Sequence, residues 1–161
     1  MATEQSEIVH KAVEPLLMAG IRIRGKYEEC GRLFKQLGKK FGFNICGPAF
    51  LLYYDEEHKE DDADFEACMS IKKGEATDDI SVREFPGGKC VSLLHYGPYD
   101  ALPGSYERIF CYCQENEIKM VSPIREVYVK SRGMIFKGNP KKYITEIQIF
   151  YEECDAESAG C

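Results

Sequence analysis

The sequence lacks an excess of positive charge. Lys and Arg number 21 against 27 Asp and Glu, which leaves a formal net charge of −6. This excludes the basic footprint with which nucleic-acid binders meet phosphate. It also lacks any apolar run near the ~20 residues that cross a bilayer. The first twenty residues hold three glutamates and no positively charged start ahead of an apolar stretch, so they do not read as a signal peptide. The expectation is a cytoplasmic chain with no direct nucleic-acid partner and no membrane partner. Eight cysteines are present, but no Cys-x-x-Cys pair. Without a secretory signal, these thiols read as small buried hydrophobes and solvent-facing strays rather than a disulfide framework. Cys111 and Cys113 fall in a helical pattern, where a two-residue step of about 200° sends them to opposite faces.

Other absences narrow the chemistry. Asp55–Glu66 holds eight acids but lacks the alternating acid spacing of a calcium loop, and reads as a solvated hairpin loop. Pro86-Gly87-Gly88 has no following Gly-Lys-Ser/Thr and reads as a hairpin turn. No Ser-His-Asp or Cys-His set can be argued from spacing, and His95 reads as a turn-stabilising residue. No metal and no cofactor is expected. The 161 residues suffice to bury roughly 70% of the surface of the unfolded chain, so neither is needed to hold a core.

What is present is a repeat. At an offset of 72, Ile8 falls on Ile80, Met18 on Cys90, Ile21 on Leu93, Gly25 on Gly97, Tyr27 on Tyr99, Phe34 on Tyr106 and Phe41 on Cys113. At 75, Pro48 meets Pro123 and Tyr53 meets Tyr128; at 80, Phe65-Glu66-Ala67 meets Thr145-Glu146-Ile147. Each half predicts two strands, a helix and two strands. The first half gives Ile8–Val13, Leu16–Arg24, a helix carrying Tyr27, Cys30, Phe34, Leu37 and Phe41, then Phe50–Tyr54 and Ala63–Ile71. The second gives Ile80–Phe85, Lys89–Tyr96, a helix carrying Leu102, Tyr106, Ile109, Phe110 and Cys113, then Glu126–Lys130 and Tyr143–Phe150. The expected fold is α+β: a duplicated β-β-α-β-β unit, with repeats at 7–75 and 79–152 in a single domain over 1–154. The halves pack with pseudo-two-fold symmetry around a central ligand cleft, and 155–161 form a flexible tail.

Strand alternation assigns faces. Thr145, Ile147 and Ile149 read as core, which sends Glu146 to the other face. Val127 and Val129 read as core, leaving Glu126, Tyr128 and Lys130 opposite. Tyr128 and Glu146 are then expected on one face, and Tyr53 and Glu66 form the equivalent pair in the first half. Two Tyr–Glu pairs facing a cleft suit flat, apolar, cationic ligands through cation–π attraction and a partly desolvated carboxylate. Such a carboxylate could also act as a general base on water. The alternative is a solvated polar sheet face.

These residues resemble a family. Val82-Arg83-Glu84-Phe85-Pro86-Gly87-Gly88-Lys89-Cys90 running into His95-Tyr96-Gly97-Pro98-Tyr99, then Glu126-Val127-Tyr128-Val129 and Thr145-Glu146-Ile147, look like a GyrI-like small-molecule-binding domain, also called the AraC-type effector-binding domain. The first half matches more weakly through Arg24-Gly25-Lys26-Tyr27 and Gly47-Pro48. The resemblance implies the duplicated fold, a ligand cleft between the halves, and ligand contact by Glu146. It implies a stand-alone, multidrug-type binder of hydrophobic aromatic or cationic molecules, with Tyr53, Glu66, Tyr96, Glu126, Tyr128 and Glu146 as ligand-binding candidates. Two alternatives come with it. One is a hydrolase of cyclopropanoid DNA-alkylating natural products, with Glu146 acting on water and Tyr128 on the developing phenolate. The other is a protein-interaction module with a partner such as DNA gyrase or a regulator. The chain departs from the family in lacking Trp, on which members often stack flat polycycles. It also leaves no room for a helix-turn-helix.

Overall fold

The computed structural model describes residues 7–55, 61–130 and 139–152. The alternating runs form β1 (Val9–Val13), β2 (Leu16–Gly25), β3 (Ile45–Tyr53), β4 (Ala63–Ile71), β5 (Ser81–Phe85), β6 (Gly88–Tyr96), β7 (Met120–Lys130) and β8 (Ile144–Tyr151). The 3.6-residue periods form α1 (Cys30–Phe41) and α2 (Leu102–Glu115), each entered through a short 3-10 turn, Tyr27–Glu29 and Tyr99–Ala101. Both β3 and β7 begin well before the apolar pattern indicates. Each carries its proline (Pro48, Pro123) inside a stretch where pairing slips; a strand tolerates the missing N–H at such irregularities. The acidic stretch 56–60, the tail 155–161, and Cys154 lie outside the described residues. No helix among those described is long and apolar enough to cross a membrane.

The strands make one antiparallel sheet in the order β1-β6-β8-β7-β3-β4-β2-β5, curled into a half-barrel. With two helices on one face, the class is α+β. Leu33, Leu37 and Phe41 of α1 pack on Ala19, Ile21, Leu51, Phe65 and Ala67. Leu102, Tyr106, Ile109 and Cys113 of α2 pack on Val91, Leu93, Ile147 and Ile149. Cys111 is exposed and Cys113 buried, the split that helical spacing requires. The other face is filled without any helix, by Met18, Phe50, Leu52, Cys68, Phe85, Cys90, Val127 and Phe150.

Each edge strand pairs far from its chain neighbour. β1 lies on β6, and β5 lies on β2. The links that permit this are short and meet each other. A Cβ on Gly87 would stand 2.1 Å from the Val13 carbonyl oxygen, and Gly87 has φ +70°. The two ends of the strand order are therefore brought together by touching connections, and only glycine fits where they cross.

Each displaced strand brings a cation to a buried carboxylate. Lys11 on β1 donates to Glu146 on β8 at 2.7 Å, and Ser92 and Gln148 donate to the same oxygen at 2.7 and 2.8 Å. Arg83 on β5 forks onto both oxygens of Glu66 on β4 at 2.6 and 2.7 Å, and the Tyr54 hydroxyl adds a third bond at 2.6 Å. Gly20 makes room for this carboxylate, since a Cβ there would lie 2.2 Å from its oxygen. Burial alone would raise both carboxyls. The bonds from Arg83, Tyr54 and Ser81 outweigh it at Glu66, and those from Lys11, Gln148 and Ser92 outweigh it at Glu146, so both sit below the ordinary carboxylate range.

Three substitutions test this construction. Gly87→Ala combines a positive φ with a backbone clash and is expected to cost roughly 1–3 kcal/mol in urea denaturation. Exposed Cys111→Ser should stay within about 0.5 kcal/mol. Because both carboxyls are depressed in the folded state, their stabilisation is complete above the unfolded value, roughly 4.3, and is lost as pH falls through the depressed values. Arg83→Met should lower stability by about 1–2 kcal/mol at neutral pH, its guanidinium being 42% exposed, and should move the acid-unfolding midpoint to higher pH. An unchanged midpoint would remove the pair from the account.

Candidate functional site

The two central strands, β3 and β7, pair antiparallel along the seam, with Leu51 opposite Glu126. Both faces of β7 are covered: Arg125, Glu126, Val127 and Tyr128 are all buried. Glu126 is fully buried on the helix side. One carboxylate oxygen accepts the hydroxyls of Tyr27 and Tyr128 (the latter at 2.7 Å), and the other accepts that of Tyr106. The Tyr27 and Tyr128 hydroxyls also lie 2.7 Å apart. Burial first, and then the Glu126 charge, push all three phenols well above the ordinary tyrosine range. They therefore stay protonated and donate. No lysine, arginine or histidine among the described residues bonds the carboxylate.

Aromatic rings surround this acid. Tyr27 stacks on Tyr53, centroids 5.7 Å apart and planes within 10°. Tyr128 takes the edges of Phe34 and Tyr99 at 5.9 and 5.7 Å, and Tyr99 lies 5.1 Å from Tyr143. Tyr27, Phe34 and Tyr99 are half-buried, so the cluster reaches the surface through them. Tyr27 and Tyr99 stand at the N-terminal ends of the helices because each helix is entered through a 3-10 turn that begins with a tyrosine, and Phe34 lies one turn further along α1. Cys30 borders the cluster; burial and then Glu126 push its thiol up to about 11. The Thr145 hydroxyl, paired across from Tyr128, is buried without a hydrogen-bond partner.

The sequence candidates therefore divide between two faces. Glu126, Tyr128 and Tyr53 lie together on the helix side. Glu66 and Glu146 lie on the other: Glu146 is paired across from Val127, and Glu66 from Leu52. Tyr128 and Glu146 do not share a face, and neither do Tyr53 and Glu66. The tyrosine beside Glu66 is Tyr54. The assignment fails at β7 because both of its faces are buried, so apolarity cannot distinguish them; Val127 packs on the helix-free side and Val129 is exposed. Tyr96 is exposed at the end of β6, on the Glu146 face and away from the cluster. The residues missed are Tyr27, Tyr99 and Tyr106. The 72-residue register of Tyr27 on Tyr99 marks two of them, whereas Tyr106 is indistinguishable from a core residue of α2.

A cleft of about 720 Å³ opens on the helix-free side between Arg22, Tyr54, Glu66, Arg83 and the 76–81 segment. Two of its walls are tied by ion pairs, and Asp78 and Asp79 also line it. Arg83 holds Glu66, and Arg22 holds Asp64 at 2.8 and 2.9 Å while lying 3.7 Å over the Tyr54 ring.

Comparisons with known proteins agree with this architecture. The crystal structure of the EcmrR C-terminal domain superposes with a TM-score of 0.81 at 23% identity, covering 92% of this chain and 99% of that one. The protein in the EcmrR–DNA complex gives 0.82 at 24%, and this chain spans 58% of its length. A hydrolase encoded by lin2189 from Listeria innocua gives 0.66 at 12%, covering 92% and 93%. SAV2435 bound to tetraphenylphosphonium gives 0.61 at 17%, covering 91% and 94%. No curated protein sequence matches. The family model of the GyrI-like small molecule binding domain matches residues 5–152. The chain belongs to the GyrI-like small-molecule-binding family.

Proposed function

We propose that this protein binds hydrophobic cations, aromatic ones above all, in the cluster around Glu126. The observation that carries the reading is a buried carboxylate held by three phenols and, among the described residues, by no cation. A buried charge without a counter-charge is expensive, and a ligand cation supplies what the protein withholds. The rings of Tyr27, Tyr53, Tyr99 and Tyr128 add faces that attract a delocalised cation and exclude water from it. Half-buried Tyr27 is the movable element, since its ring stacks on Tyr53 while its hydroxyl reaches the acid. The tetraphenylphosphonium held by SAV2435 has the right chemistry: one diffuse positive charge inside aromatic rings.

The cleft is read as lying on a pseudo-two-fold between copies at 7–75 and 79–152. The strand order reads the same from either end when β1–β4 are exchanged with β5–β8, and this supports the duplication. Leu51 holds the place in the first copy that Glu126 holds in the second, so the site carries a single acid.

A second reading, hydrolysis of a strained cyclopropane, draws on the same cluster, because carboxylate and phenol stand in contact there. Glu126 then takes the role assigned from sequence to Glu146. At Glu146 one oxygen accepts three donors and the carboxyl is depressed, which makes it a poor base.

Tetraphenylphosphonium titrated into the protein should quench tyrosine emission, which is readable because the chain has no Trp. Glu126→Gln should weaken binding at least tenfold, equivalent to about 1.4 kcal/mol, and Glu146→Gln should change it less than about twofold. The opposite pattern would move the site to the other face. With a spirocyclopropane substrate, product formed by the wild type and lost in Glu126→Gln would establish turnover; binding without product restricts the cluster to recognition.

A further inference from the structure

The net charge of −6 conceals a segregation. From Cys30 to Tyr54 the sequence contains no Asp or Glu, while Arg32, Lys35, Lys39 and Lys40 lie in that run. Lys72 and Lys73 follow at the end of β4, and Glu75 is the one acid between residues 67 and 77. The fold gathers the lysines at one end of the β3–β4 hairpin. The Lys72 amide donates to the Asn44 carbonyl at 2.7 Å, and Gly74 lies against the Phe41 ring at the end of α1. Between them, in the turn Gly42–Asn44, stands Phe43, 102% exposed. Lys39, Lys40, Lys72 and Lys73 are all exposed, and none forms an ion pair with a described residue.

Structural reasons cover only part of this. Lys39 and Lys40 lie in the last turn of α1, where cations complement the helix dipole. That does not account for Lys72 and Lys73. Nor does it account for a phenyl ring held fully in water at an apex.

We infer that this apex docks on the surface of an anionic lipid bilayer, with Phe43 entering the headgroup boundary and the four lysines meeting the lipid charges. The composition of the patch selects this partner. Among the described residues the apex offers one projecting ring, whereas single-stranded nucleic acid is bound along a groove with successive stacking rings. The four cations named at this end, Lys39, Lys40, Lys72 and Lys73, are all lysine, a residue depleted in protein interfaces, where arginine is enriched. Flexible lysine stems let the ammonium groups stay at the headgroup level while an apolar group dips below it. The acidic remainder of the molecule is repelled by such a surface, which leaves this end to approach it. One ring and four lysines give reversible attachment rather than anchoring. The expectation of no membrane partner rests on net charge and the lack of a spanning run, and neither bears on a local patch.

The test is co-sedimentation of the full chain with vesicles of phosphatidylcholine alone and of phosphatidylcholine containing about one-third phosphatidylserine. Binding is expected to the anionic vesicles only, weakening as salt rises. Lys72→Ala/Lys73→Ala should reduce it by about fivefold per lysine, and Phe43→Ser should reduce it without altering the salt dependence. Thermal melts of both variants should match the wild type, because the replaced side chains are exposed. Equal binding to both vesicle types overturns the proposal. So do insensitivity to either variant, no sedimentation of the wild type, and tighter binding to polyglutamate or single-stranded DNA than to anionic vesicles.

Discussion

A buried carboxylate that no cation among the described residues bonds must be held by groups that the fold positions for that purpose, and Glu126 imposes this condition on the fold. Its three hydroxyl donors come from three elements: Tyr27 from the turn before α1, Tyr106 from α2, and Tyr128 from its own strand. They converge only if both helices lie on the same face of the sheet and the central strands pair with Leu51 opposite Glu126. That pairing in turn needs the sheet to remain one continuous surface across the middle of the chain. The exchange of β1 and β5, closed by the contact of Val13 with Gly87, ties its outer strands across the same junction. The acid is thus supported by the most long-range features of the fold, and the outlying ion pairs of Glu66 and Glu146 are fastenings of that frame.

Much of the frame is legible in the sequence, because its signals are local and periodic. The repeat offset of 72 places Gly25-Lys26-Tyr27 on Gly97-Pro98-Tyr99, and these are the two turns that lead into the helices. Ala63–Ile71 alternates cleanly and its bounds coincide with β4. Leu37 and Phe41 recur at helical spacing and are core. The strand exchange is not legible. Val9–Val13 carries the same pattern whether it lies on β2 or on β6, since a short edge strand exposed along most of its length fits either neighbour.

The site was half legible for a different reason. Residue type identifies Glu126, Tyr128 and Tyr53, but apolarity is what assigns their faces, and that criterion fails on a strand buried on both sides. Val127 and Tyr128 are each apolar enough for either face, so only the pairing register of β7 with β8 resolves them. Tyr54 and Tyr53 present the same ambiguity at the end of β3. One residue of register separates a tyrosine that hydrogen-bonds Glu66 from one that stacks on Tyr27.

On the proposed reading, position in a charge network, rather than burial alone, separates the three buried acids into one that meets a ligand and two that are structural. Glu66 and Glu146 are nearly as buried as Glu126, yet each has a cation supplied by a displaced edge strand, and bringing in a ligand cation would mean competing with a tethered Arg or Lys at high effective concentration. Glu126 has donors that satisfy its lone pairs without cancelling its charge. A phenol can be moved aside and its bond replaced by a cation, whereas displacing Arg83 from Glu66 would leave the guanidinium stranded beside Tyr54 and loosen β5 from the sheet. On that reading, a sheet with carboxylates on both faces keeps one face for ligand charge, while the ion pairs of the other hold its edges.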